Sequence, residues 1–272
     1  MRRLEGSPLE TAALSQEDAD YLYRLYPSLA HNHLHGCPAC GKNRGVGVDG
    51  VVTLADGEWC CNCRDQLQRH KHYLNAGIGS TYQFLSWRDY HGDMNAARRV
   101  QNEYLDHLDV KVESGEGFIL SSEQYGNGKT FMASQVAKTC VIMGYDTYFT
   151  TFPDMLSNMK AGWKDAEFEK WYRCKVDAAQ VLFLDDVGKE LMGGSGFNND
   201  FARQTLDTLL RSRAQQGRVT IITTNLASDT FSSTYSPAIW SLLKERDSFI
   251  RVNGDDFRSH TVALTKGQRR VW

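Results

Sequence analysis

Residues 126–130 read Gly126-Asn127-Gly128-Lys129-Thr130, bringing two glycines, a lysine and a hydroxyl into five positions. That combination suits phosphate. The glycines let the backbone turn its N–H groups toward an anion at φ values that other residues resist. A helix beginning at Lys129 would aim its positive end at the same point. Lys129 then reaches the β- and γ-phosphates, and the Thr130 hydroxyl meets Mg²⁺. The spacing follows the P-loop pattern except at its first glycine, where the chain has Glu123. That glycine serves the turn more than phosphate contact, so the Glu123 charge is expected to point away from the phosphates.

Other residues suit the chemistry of a bound nucleotide. Asp185 and Asp186 close the run Gln180-Val-Leu-Phe-Leu184. In a P-loop scheme Asp185 holds Mg²⁺ through water, and Asp186 orients or deprotonates the attacking water. Asn225 ends the run Val219-Thr-Ile-Ile-Thr-Thr224, where it can meet a γ-phosphate or its water. Two acids after a strand are common by themselves. The upstream Gly-x-Gly-Lys-Thr is what makes these two candidates.

The cysteines form a second constellation. Of seven, five fall between residues 37 and 63. Cys37, Cys40, Cys60 and Cys63 make two C-x2-C pairs separated by nineteen residues. Each pair can wrap one edge of a tetrahedron, and the hairpin between them brings the pairs together around Zn²⁺, as in a zinc ribbon. Cys61 in place of Cys60, or His35 in place of a cysteine, gives alternative ligand sets. Arg64, Arg69, His70, Lys71 and His72 follow, and with Trp59 they suit a nucleic-acid patch, a solvated helix face or a protein-docking face.

An alternation of strands and helices must position these groups. Phe118-Ile-Leu120 is a strand leading into the glycine loop. Met132, Val136, Cys140 and Met143 recur on one face of the helix after it, and Gly144 stops that helix. Tyr145–Thr151 reads as the next strand. Pro153-Asp154 opens a helix through Met155, Leu156, Met159 and Trp163, and a second runs from about Ala166 to Cys174. The four apolar residues before Asp185 suit a parallel strand buried on both faces, with its acids where such sheets bind ligands. A loop over 191–198 precedes a helix through Phe201, Leu206, Leu209 and Leu210, with Arg211 and Arg213 near its negative end. Gly217 breaks that helix before the strand that ends in Asn225.

Upstream, Asp93 caps a helix through Ala96, Ala97, Val100, Tyr104 and Leu105 that is expected to be structural only. Cys140 and Cys174 read as small buried hydrophobes. The pattern is α/β, with a parallel sheet and right-handed crossovers. Glycines between 75 and 80 divide a small zinc-binding N-terminal domain, residues 1–76, from an ATPase domain, residues 77–272.

Composition narrows the classes. The 31 basic and 33 acidic residues nearly balance, so a nucleic-acid site must be a local patch rather than a bulk field. With 41% hydrophobic residues among 272, the chain can bury a substantial core. It shows no secretory h-region and no apolar run near the roughly 18 residues of a membrane span. The expected location is the cytoplasm of a bacterial cell or phage-infected host, where disulfides would be out of place.

Three later motifs follow the glycine loop in order: Asp185-Asp186-Val-Gly188, Thr223-Thr-Asn225-Leu226 and Gly254-Asp-Asp-Phe-Arg258. With them, and with Ala76-Gly-Ile78 at the start, the chain resembles AAA+ replicative helicase loaders of the DnaC/DnaI type over about residues 75–265. The IstB transposition ATPases are close relatives of these. The resemblance implies an AAA+ P-loop core with a truncated lid, since 14 residues follow Arg258. It makes Lys129 and Thr130 part of Walker A, Asp185 and Asp186 Walker B, Asn225 sensor 1 and Arg258 the terminal sensor arginine.

It further implies ATP with Mg²⁺, a hexameric replicative helicase and single-stranded DNA as partners, and self-assembly into an open ring or spiral on the helicase. Loaders of the DnaI kind also carry an N-terminal zinc module that docks on the helicase. Their helices after the second strand touch DNA, here about Phe152 to Cys174 with Lys160, Trp163 and Lys164. Where family members place an arginine that reaches a neighbour's ATP, this chain has Ser241-Leu242-Leu243, with Lys244 and Arg246 close by. The expected activity is weak ATP hydrolysis in helicase loading. An IstB-like transposition ATPase and an ATP-gated adaptor with little hydrolysis are the alternatives.

Overall fold

Strands form at the apolar and β-branched runs. The computed structural model describes residues 71–162, 165–191 and 199–256. Its strands are β1 (Phe118–Ser121), β2 (Thr147–Thr151), β3 (Val181–Val187), β4 (Val219–Thr224) and β5 (Ser248–Arg251). They pair parallel in the order β2-β3-β4-β1-β5. The two-residue period of a strand sorts side chains between two cores. Phe118 and Leu120 face one, and Ile119 faces the other. Burial on both faces is why β3 and β4 read as unbroken apolar or β-branched stretches.

Helices α1 (Ser80–Gln83), α2 (Met94–Arg99), α3 (Leu108–Ser114) and α4 (Lys129–Ile142) lie on the first side. Helices α5 (Phe152–Gly162), α6 (Ala166–Ala178), α7 (Asn199–Gln215), α8 (Ser228–Thr234) and α9 (Pro237–Arg246) lie on the second. None of the described helices is long and apolar enough to cross a membrane.

The approach to β1 differs from one continuous helix. Asp93 caps α2 as its spacing predicts, accepting from Asn95 N at 3.0 Å and Ala96 N at 3.1 Å. The chain then widens into a π turn over Val100–Tyr104 and tightens into a 3₁₀ turn over Leu105–His107 before α3. The wider turn lets Tyr104 meet Phe118 edge to face, with ring centroids 4.7 Å apart, and its hydroxyl donates to Glu116 O at 3.1 Å.

Residues before α1 join the same core, where Tyr73, Ala76 and Ile78 are buried. Phe149 N, on the outer edge of β2, donates to Ala76 O at 2.7 Å. Gly77 then turns with φ +77°, and a side chain there would collide with Phe149 O. Lys138 of α4 lies 5.7 Å from the Tyr73 ring centroid and donates to Leu85 O just after α1, and burial lowers its ammonium to about 8.

Two side chains depart from expectation. Arg213 does not serve the end of its own helix but is fully buried under the sheet's lower edge. Its Nη1 donates to Val176 O (2.9 Å) and Ala179 O (3.0 Å), its Nη2 to Val219 O (2.6 Å) and its Nε to Thr220 Oγ1 (3.0 Å). It thus satisfies carbonyls left open where α6 ends. Cys140 is buried, but Cys174 is exposed. Tyr172 and Val176, four apart, are the residues that α6 turns inward, which leaves position 174 outside.

Candidate nucleotide site

Beyond β1 the chain forms the loop that ends at α4. Gly126 has φ +78°, and Gly128, the residue before α4, has φ +94°, values open to glycine and strained elsewhere. Gly126 is also confined, because a side chain there would strike the Asp256 carboxylate. Lys129 is buried, its Nζ donating to Gln124 O at 2.9 Å and to Asn127 Oδ1 at 3.0 Å. Asn127, 1% exposed, is the loop's anchor. Its Nδ2 donates to Ser122 Oγ and to Val252 O (3.0 Å), and its carbonyl accepts from Tyr90 OH at 3.3 Å. Glu123 lies 3.8 Å from the Arg251 guanidinium in an exposed pair linking the loop's start to the end of β5.

The acids sit at the end of β3, across from the loop. The Thr130 hydroxyl donates to Asp185, at 3.0 and 3.1 Å from its two oxygens. Asp185 is 4% exposed. Burial first and the neighbouring Asp186 charge second push its carboxyl up to about 6, against hydrogen bonds from Thr223 and Thr130. Between the pairs Leu184↔Ile222 and Val187↔Thr224, β3 holds one residue more than β4. That is a bulge, and Asp186 sits in it with φ +59°, the one positive φ outside glycine among the described residues. Asp186 N donates to Thr223 Oγ1 at 3.0 Å, and Lys189 Nζ lies 2.6 Å from Asp186 Oδ2. Asn225 is half-buried, one residue beyond β4.

Gly126, Asn127, Gly128, Lys129, Thr130, Asp185, Asp186 and Asn225 therefore gather at the carboxyl ends of β1, β3 and β4, where parallel sheets bind ligands. A cavity of about 430 Å³ opens beside Thr130 and Asp185, lined further by Thr150, Thr151, Asp154 and Asn158. The Thr130 hydroxyl and Asp185 carboxylate are hard oxygen donors, the chemistry that fits Mg²⁺.

Arg258 and the proposed zinc ligands Cys37, Cys40, Cys60 and Cys63 lie outside the described residues, as do Trp163 and Lys164. Among the described residues no cluster of three or more His, Cys, Asp or Glu could hold a metal ion. Arg246, one of two cations near Ser241-Leu242-Leu243, spends Nη1 on Ala214 O and Nη2 on Gly115 O (2.8 Å). Lys244 is exposed, its Nζ 5.1 Å from the centroid of the Trp240 ring. Sequence reasoning missed Thr223 and Lys189. The bulge in β3 lies opposite Thr223, so its hydroxyl reaches Asp185 and the Asp186 amide alike, and a register shift between two strands leaves no local signal in either.

A glycine loop between β1 and α4, acids at the end of β3 and a parallel sheet with β1 between β4 and β5 define an AAA+ P-loop core. The chain belongs to the family described as IstB-like ATP binding protein, whose pattern matches residues 63–262. By sequence, no curated protein matches it. Among solved structures, the DnaC helicase loader aligns with TM-score 0.50 and 23% identity, over 64% of this chain and all of that one. A putative primosome component from Streptococcus pyogenes serotype M3 aligns with TM-score 0.50 and 16% identity, over 66% and 92%. The replication initiator DnaA, bound to AMPPCP and single-stranded DNA, aligns with TM-score 0.50 and 15% identity, over 68% and 56%. These likenesses concern the fold.

Proposed function

We propose that the chain is an ATP-dependent loader that binds a hexameric replicative helicase and places it on single-stranded DNA at replication initiation. The observation that carries the reading is the junction of the glycine loop with the Asp185–Asp186 pair, made by Thr130 at 3.0 Å. Membership of an ATP-binding family and a DnaC-like fold support it.

On this reading Lys129 exchanges its bonds to Gln124 O and Asn127 Oδ1 for the β- and γ-phosphates, and the amides of Gly126 to Thr130 line the anion. Thr130 and Asp185 would hold Mg²⁺, which when bound neutralises phosphate charge. Asp186 accepts the proton of the attacking water, Asn225 contacts the γ-phosphate side, and Arg258 completes the charge around it. The Lys189 ammonium already engages Asp186, so hydrolysis is slow until that pair opens. A trans arginine is worth about 10³–10⁵ in rate in P-loop systems. Arg246 is committed to carbonyls, so Lys244 is our candidate for that role in an open ring or spiral. The four cysteines, on spacing alone, would hold Zn²⁺ in a module that docks on the helicase.

The test is co-purification with a hexameric replicative helicase, with and without ATP, alongside ATP turnover with and without single-stranded DNA. ATP-dependent capture and stimulated turnover are expected. No capture in either condition would refute the loader reading. The family match favours one rival, an IstB-like transposition ATPase, which would prefer duplex to single-stranded DNA in a direct comparison.

A further inference from the structure

The bulge that carries Asp186 has one partner residue on β4, Thr223. Its hydroxyl has one proton to give and lone pairs to receive with. It donates the proton to Asp185 Oδ1 and receives the Asp186 amide at 3.0 Å. At 2% exposure it is shielded from solvent. In a regular strand neighbouring side chains point to opposite faces, so two consecutive acids could not serve one site equally. The extra residue on β3 breaks that alternation and leaves Asp186 with φ +59°. A backbone so placed persists only when its surroundings hold it. Thr223 is the hydrogen-bonding group that holds it on the β4 side, while the same hydroxyl fixes the carboxylate that Thr130 meets from the loop.

We infer that Thr223 is the positioning residue of the acid pair: it staples the bulge opposite it and so aims Asp185 and Asp186 together. The inference rests on the reading of the site as an ATPase centre. The Thr223 hydroxyl is spent on Asp185 and on the Asp186 amide. It acts through the two acids, so its loss should spare the affinity for ATP itself and strike the steps that need both carboxylates in register.

The experiment uses the full chain as wild type, Thr223→Val and Thr223→Ser. Valine keeps the branched shape that suits β4 and removes the hydroxyl. Serine keeps the hydroxyl and removes a methyl. Thermal unfolding first establishes that each variant folds, with Thr223→Ala replacing the valine variant should that one not fold. Binding of a fluorescent ATP analogue is measured in EDTA and in Mg²⁺, and turnover is measured in Mg²⁺.

For Thr223→Val, affinity in EDTA should match wild type, while the gain from Mg²⁺ and kcat should each fall about 10- to 100-fold, the usual effect of losing a group that orients a metal ligand. Thr223→Ser should recover most of both. Undiminished kcat and Mg²⁺ gain in a folded valine variant would overturn the inference while leaving the ATPase reading intact. A serine variant as impaired as the valine variant would also overturn it, by assigning the effect to packing. Wild-type protein with neither Mg²⁺ gain nor turnover would overturn the ATPase reading, and the inference with it.

Discussion

Asp247, the residue between α9 and β5, offers a quantitative test of how the P-loop strand is held. Its Oδ1 accepts from Gly117 N, just before β1, at 2.7 Å. Burial raises its carboxyl from the ordinary 3.8 to about 7, and the Glu116 charge adds to the rise. The Gly117 hydrogen bond and the Arg246 charge oppose it. Between those two values the folded chain keeps a proton that the unfolded chain has released. Stability from this group is therefore full below 3.8 and is lost as pH rises through about 7. At 1.36 kcal/mol per pH unit, the loss across the window is about 4 kcal/mol.

Asp247→Asn keeps an acceptor for Gly117 and cannot ionise. Its new N–H groups impose an offset of about 1–2 kcal/mol that does not depend on pH. The measurement is thermal unfolding of wild type and variant from pH 4 to pH 8. The stability difference should swing toward the variant by about 4 kcal/mol, so that at pH 8 it melts higher by roughly 5–10 °C. The difference between the two proteins is the informative quantity, because every other group titrates in both. A difference that stays flat over that range would refute the reasoning, whatever its sign.

Lys129→Ala removes the ammonium facing the phosphates, and ATP affinity by equilibrium titration should fall below detection; unchanged affinity would sink the nucleotide site. Arg213→Met leaves the carbonyls of Val176, Ala179 and Val219 buried without their donor, so urea unfolding should show a loss of about 3–5 kcal/mol. A loss under 1 kcal/mol would show that those carbonyls find other partners. If the four N-terminal cysteines hold Zn²⁺ as proposed, chelation should release it and leave ATP binding unchanged. If ATP binding is lost together with the metal, the division into two domains is wrong.

Much of the site was legible because its parts are local. Gly126 to Thr130 is one contiguous signal, and the apolar run before Asp185 announces both the strand and its ligand-facing end. Gly144 and Gly217 mark helix stops, and both adopt positive φ. What escaped depends on register and on contacts far apart in sequence. Nothing in Val181 to Val187 marks where β3 takes its extra residue, because a bulge is a relation between two strands. Thr223 looked like one more β-branched strand residue until its partner across the sheet was known. Arg213 shows the same limit. An arginine near a helix end suggests its own dipole, and only tertiary packing reveals that it serves the end of another helix. Arg246 had the planar fork suited to a phosphate, and folding spends that fork on Ala214 and Gly115.

The cover over β2 bears on how copies of this chain can associate. An open outer strand is a template on which another chain can add a strand of its own. Here Ala76 takes the Phe149 amide, and Gly77 presses so closely on Phe149 O that no side chain fits between them. The lane an incoming strand would need is already in use by the chain's own backbone. At Phe149 a strand arriving from another molecule would first have to displace the chain's own turn at Ala76 and Gly77.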